Sequence, residues 1–185
     1  KTERLDLVSQ KAKEVIIPGD HPIVALNYGM KQAILQNLKK LNYPLVTLPY
    51  SASYEDILAC RPRLIFLSNG PGDPASYGDQ VEVLQRLLAE KIPIRAICLG
   101  HQLMALALGG KTYRLPYGHR GSNHPVLDAR TNRVLITSQN HGYAIHEESL
   151  QKVLKKNPAG REFYVSHQSL FDLSIEGISS TDGAI

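Results

Sequence analysis

Pro93-Ile94-Arg95-Ala96-Ile97-Cys98-Leu99-Gly100-His101-Gln102 is the stretch on which the reading of this chain turns. The apolar run Ile92 to Ile97 reads as a buried strand that stops at the cysteine. From Leu99 to Ala105 the pattern resumes as a helix. A thiol on such a sharp turn is held up at the end of a sheet, where a substrate can reach it. It also sits at a helix N-terminus, whose unpaired amides and partial positive charge favour a thiolate. Ala96 and Gly100, two positions either side, give a nucleophile elbow its clearance. Many free cysteines are inert core packing, but this context marks Cys98 as a nucleophile. Cys98 and His101 also have C-x-x-H spacing, yet no second close pair completes four ligands, so no metal is expected.

The chain of 185 residues is long enough for one domain with a substantial core, and 43% hydrophobic with 21% charged residues excludes disorder as a class. A net charge of +4 raises the question of nucleic acid, but no basic stripe interleaved with aromatics occurs, so none is expected as a partner. Two cysteines, Cys60 and Cys98, do not make a disulfide framework. There is no apolar run of membrane-spanning length, so no membrane association is expected. Residues 1–20 are charged and weakly patterned and close on Pro18-Gly19-Asp20, which reads as an interdomain linker; residues 21–185 read as the domain. The ends suggest a piece of a longer polypeptide.

From His21 onward, strand-like and helical runs alternate. Ile23–Asn27, Leu45–Leu48, Arg63–Ser68 and Ile92–Ile97 read as strands. Met30–Leu41, with Ile34, Leu35, Leu38 and Leu41 on one face, reads as a helix; so do Ser53–Cys60, with Ser53 as N-cap, and Gly78–Glu90. The alternation predicts an α/β fold: a mostly parallel open sheet flanked by helices, with the elbow at Cys98. Beyond Gly110 the chain turns β-rich, with candidate strands at 111–115, 133–138, 162–166 and 174–178.

Ligands of such sheets bind outside the carboxyl ends of the strands. That rule brings together Cys98 and the loop Ser68-Asn69-Gly70-Pro71-Gly72-Asp73-Pro74, each at the end of a strand. Gly70 and Gly72 let the backbone present amides to a ligand. An amide of this loop, with that of Leu99, can receive the oxyanion of an acyl intermediate on Cys98. By itself the loop is equally well read as turn chemistry.

With Cys98-Leu-Gly-His-Gln102, that loop resembles the class I (triad-type) glutamine amidotransferases. Three later motifs resemble, within them, the small glutaminase subunit of carbamoyl-phosphate synthetase: Gly118-His-Arg-Gly-Ser-Asn-His-Pro-Val126, Thr137-Ser-Gln-Asn-His-Gly-Tyr-Ala144, and Ser166-His-Gln-Ser-Leu-Phe-Asp172 with Glu176-Gly-Ile178. The resemblance runs from about His21 to the end. It implies that Cys98 attacks the carboxamide of L-glutamine and leaves a glutamyl thioester, with Gly72 and Leu99 as oxyanion amides. Gly70, Gly72, Leu99, Gln102, Asn140, Gly142 and Tyr143 match positions that hold glutamine. It also implies a large-subunit partner that receives ammonia through a tunnel. With two ATP, magnesium and bicarbonate, that partner makes carbamoyl phosphate for arginine and pyrimidine synthesis, so no cofactor is expected in this chain. Cytoplasm is the implied compartment, or the plastid stroma for a plastid-encoded chain.

Alone, Asn140-His141-Gly142 reads as a turn and Gln102 as a solvated helix residue. His101, His119, His124 and His167 read as structural or interfacial. Ala96 stands where the family commonly has glycine, a methyl group the elbow tolerates. The family's catalytic histidine and glutamate, in a Gly-His-Pro-Glu motif, fall just past Ile185. The domain is therefore expected to be incomplete at its C-terminus, and these 185 residues to be inactive alone. Two other readings stay open: a class I amidotransferase serving another synthetase, and a non-catalytic regulatory module with the same fold.

Overall fold

Alternate residues of the second strand face opposite ways, and both faces are buried. Ile23 and Ala25 join one apolar cluster, Val24 and Leu26 the other. A strand buried on both sides belongs in the middle of a helix-covered parallel sheet, and the computed structural model, which describes residues 9–157 and 159–185, has it there.

The chain order is β1 (Glu14–Ile17), β2 (Ile23–Asn27), α1 (Gln32–Lys40), β3 (Leu45–Pro49), α2 (Tyr54–Ala59), β4 (Leu64–Leu67), α3 (Gly78–Leu88), β5 (Ile94–Ala96) and α4 (Leu99–Ala107). These build a five-stranded sheet in the order β1-β3-β2-β4-β5. β3, β2, β4 and β5 are parallel, and β1 is an antiparallel edge. Of the stretch read as a linker, residues 1–8 lie outside the described residues, whereas Glu14–Ile17 extends the sheet as β1.

Leu38 of α1 packs with Ile23, Ala25, Leu45 and Phe66 on one face. Ile57 of α2, Leu84, Leu87 and Leu88 of α3, and Leu99 and Leu103 of α4 fill the other. Leu41 does not join its helical face. α1 ends at Lys40, Asn42 turns left-handed at φ 60°, and Leu41 is 53% exposed. α2 opens with a capping box, in which Ser53 Oγ accepts from the Asp56 amide and the Asp56 carboxylate accepts from the Ser53 amide.

The rest of the chain is β6 (Thr112–Asp128), β7 (Arg133–Ile145), α5 (Glu147–Val153), β8 (Phe163–Ser169) and β9 (Ile175–Ser180), with β6-β7-β9-β8 closed into a small antiparallel barrel. The β6–β7 hairpin far exceeds the short strands expected from sequence. Gly118 (φ 68°) and Gly121 (φ 141°) break the apolar pattern of β6 and fall at its two register shifts, so bulges hide a continuous strand. Asn140-His141-Gly142 lies within β7 and is not a turn. Ile145, Leu150, Phe163 and Ile175 from this part enter the same core as α4, so barrel and sheet meet across that helix.

Gly100 sets how closely α4 approaches the sheet. A Cβ there would stand 2.6 Å from both Leu67 Cβ and the Leu67 carbonyl oxygen. Gly100→Ala is expected to destabilise the chain by about 1–3 kcal/mol, the usual cost of overpacking, as read from urea unfolding. An unchanged midpoint would show that α4 can slide away from β4 without loss.

Candidate active site

Cys98 joins β5 to α4 in a conformation that few non-glycine residues adopt, φ 54° and ψ −110°. The surroundings over-determine it. The Ile97 amide donates to Leu67 O (3.0 Å), the Gly100 amide to Ser68 O (3.1 Å) and Ile97 O (3.0 Å), and the Gln102 amide to Cys98 O (3.1 Å). The Leu99 amide, the first of α4, pulls the thiol toward its ionised form.

The loop after β4 is fixed with equal care. Ser68 Oγ accepts from the Tyr28 amide (2.9 Å) and donates to Asn69 O (2.8 Å). Asn69 ties the loop to the end of β2, accepting from the Lys31 amide (3.0 Å) and donating to Gly29 O (3.1 Å). A Cβ on Gly70 would stand 2.4 Å from Tyr28 O, and one on Gly72 (φ 93°) 2.4 Å from the Tyr77 hydroxyl. Both glycines are therefore sterically required. Tyr77 clamps the loop by donating to Pro71 O (3.0 Å).

Across from the loop runs β7. The Asn140 carbonyl oxygen lies 4.0 Å from Cys98 Sγ. Gln102, 6% exposed, donates from Nε2 to Tyr143 O (2.7 Å) and so pins β7 to α4; it is not the solvated helix residue its sequence context suggests. Between loop and strand lies a cavity of about 980 Å³. Cys98, Gly70, Gly72, Gln102, Asn140, Gly142 and Tyr143 all line it. Leu99 follows Cys98 with its side chain buried. The other residues nominated from sequence are thus brought to one place. Sequence reasoning missed the cations on this cavity: Lys31, Arg114 and Arg120. Arg114 and Arg120 belong to the bulged strand whose periodicity is obscured.

A smaller cavity of about 240 Å³ lies beside the thiol, lined among others by His101, His141, His167 and Glu176. Burial pushes the Cys98 thiol above its ordinary range; the Leu99 amide and Lys31 pull it down less strongly, and Glu176 pushes it up further. Burial thus opposes the helix N-terminus that the sequence places at this sulfur. Among the described residues, no imidazole nitrogen is hydrogen-bonded to it.

The family described as "Glutamine amidotransferase class-I" matches residues 24–185. The carbamoyl phosphate synthase small chain of Thermotoga maritima is 41% identical over 195 residues, covering 92% of this chain and 50% of the relative. That of Bacillus caldolyticus is 46% identical over 160 residues, covering 86% and 42%. The chain thus spans about half the length of the curated relatives it matches. Among solved structures, a glutamine amidotransferase from Thermotoga maritima superposes with a TM-score of 0.58 at 16% identity, over 85% of this chain and 70% of that one. Another from Methylobacillus flagellatus gives 0.57 at 15%, over 82% and 63%. At such identities the likeness is one of fold.

His101 on α4 carries a pH signature. Burial holds it down at about 4 from an ordinary 6.5; Glu176 pulls it up, and His141 and His167 push it further down. Its Nε2 is buried without a hydrogen-bond partner among the described residues. Between these two values the unfolded chain binds a proton that the folded chain refuses. The corresponding stability is whole above about pH 6.5 and is lost as pH falls toward 4. Urea midpoints are expected to drop across that window, and His101→Asn to flatten the drop. Parallel pH slopes for the two proteins would show that His101 does not control it.

Proposed function

The chain belongs to the class I glutamine amidotransferases, and from that premise we propose that it is the glutaminase half of a carbamoyl-phosphate synthetase. The observation that supports the chemistry most is the Cys98 elbow at the start of α4, with a glycine loop across the cavity. The names of the 41–46% identical relatives support the choice of synthetase.

In this reading glutamine lies in the large cavity with its carboxamide over Cys98. The thiol loses its proton to a base and sulfur attacks the carboxamide carbon. The carbonyl oxygen becomes an oxyanion that the Gly72 and Leu99 amides receive, the kind of interaction that strengthens only as charge develops. The C–N bond breaks, the nitrogen takes up the proton, and ammonia departs. Water then cleaves the glutamyl thioester to glutamate and restores the thiol. Gly70, Gln102, Asn140, Gly142 and Tyr143 hold the amino-acid end, where a desolvated zwitterion needs both donors and acceptors. The cationic rim of Lys31, Arg114 and Arg120 favours its carboxylate.

Burial raises the Cys98 thiol, so attack on the carboxamide calls for a base. Since no described imidazole bonds the sulfur, these 185 residues alone are expected to turn over glutamine negligibly. Ammonia would pass to a large partner subunit that holds ATP and magnesium and forms carbamoyl phosphate.

The test uses the full-length protein and a glutamine-shaped diazoketone. Stoichiometric alkylation of Cys98 by mass spectrometry, slowed by glutamine, is expected. Cys98→Ser is expected to lower glutaminase activity by about 10³-fold or more. Reaction no faster than at Cys60 would favour the non-catalytic module. Co-purification with a different ATP-dependent partner would favour another synthetase.

A further inference from the structure

The barrel encloses a polar cluster that glutamine chemistry leaves unused. His119 comes from β6, Gln139 and His141 from β7, and Glu176 from β9. His119 Nδ1 lies 2.9 Å from Glu176 Oε1 and 2.8 Å from Gln139 Oε1. His141 Nε2 lies 3.2 Å from Gln139 Oε1 and 3.2 Å from Glu176 Oε2. The outer nitrogens are already committed: His119 Nε2 donates to Asp172 Oδ2 (2.8 Å) and His141 Nδ1 to Tyr143 O (2.9 Å). Gln139 is oriented by its own Nε2, which donates to Thr137 Oγ1 (3.1 Å).

Those outer bonds turn the second nitrogen of each ring, His119 Nδ1 and His141 Nε2, toward the cluster. Two ring nitrogens, an amide oxygen and a carboxylate thus converge, and the ligand atoms of His119, His141 and Glu176 lie within 4.8 Å of one another.

We propose that His119 Nδ1, His141 Nε2, Gln139 Oε1 and the Glu176 carboxylate form a site for a divalent transition-metal ion, zinc above all. Tetrahedral zinc with N and O ligands spaces neighbouring ligand atoms by about 3.3 Å. The present spacings of 2.8 to 3.2 Å need only a small opening. The outer shell is the one that metal-bound histidines use, a carboxylate behind one ring and a backbone carbonyl behind the other. Ser174 Oγ supports Glu176 in the same way (3.1 Å). The histidine and glutamate side chains are only 8% to 12% exposed, as suits a closed structural centre. Such an ion would staple three strands of the barrel. It would also grip the residues on either side of Asn140, whose carbonyl lies over Cys98. Sequence spacing hides the set, because its members stand up to 57 residues apart.

The test is metal binding by the tag-free full-length protein after stripping with chelator. Titration with zinc chloride is expected to saturate at one ion per chain, and cobalt(II) to give the intense visible bands of a tetrahedral centre. Asp172→Asn, which touches only the outer shell, should weaken zinc binding about 10- to 100-fold while keeping the cobalt spectrum. His119→Gln and Glu176→Gln should weaken it more, with circular dichroism confirming that each variant folds. If one of these fails to fold, the stoichiometry and Asp172→Asn decide the matter. Absence of saturable uptake, or uptake unchanged in the variants, overturns the proposal and leaves added ring protons as the neutralising charge.

Discussion

The backbone at Cys98 is the constraint from which the site follows. A residue at φ 54° and ψ −110° is held there only because its neighbours leave no alternative. Gly100 is pressed against Leu67, and the Ile97 and Gly100 amides donate to the carbonyls of Leu67 and Ser68. β4 and α4 are thereby packed directly together, with the sulfur between them at the sheet edge. The parallel neighbour relation of β4 and β5 then delivers the glycine loop to the same edge without further instruction.

A second tie closes the cavity. Gln102 projects from the first turn of α4 and donates to Tyr143 O, so the helix that positions the thiol also positions β7. The bond is partly buried, and losing it would leave an amide and a carbonyl short of a partner, which is costlier than the bond is worth in water. Sheet and barrel are thus joined through α4, by apolar packing on one side and by this polar tie on the other. Residues 70–72 and 140–143 line one cavity with Cys98 as a result.

Much of the sheet was legible in the sequence because strands buried on both faces leave apolar runs, and amphipathic helices leave a 3.6-residue pattern. The Ser53 cap and the Cys98 elbow were legible for the same local reasons. The barrel was not. Gly118 and Gly121 interrupt β6, a short α5 gives too little periodicity, and Asn140-His141-Gly142 has turn composition inside a strand. β1 hid in charged sequence because an edge strand has little apolar surface to declare. The burial of the thiol was not legible either: a helix N-terminus is visible in sequence, but the burial that opposes it exists only in three dimensions. The pairing of His119 and His141 with Glu176 is likewise a product of strand register.

The central claim is that the β4 loop, the Cys98 elbow and β7 form one glutamine cradle. A crystal structure of the full-length Cys98→Ser protein with glutamine tests it most directly. The account predicts the carboxamide oxygen within hydrogen-bond distance of the Gly72 and Leu99 amides, and the amino-acid end against Asn140 to Tyr143. Glutamine bound elsewhere, or a carboxamide turned away from those two amides, would contradict it.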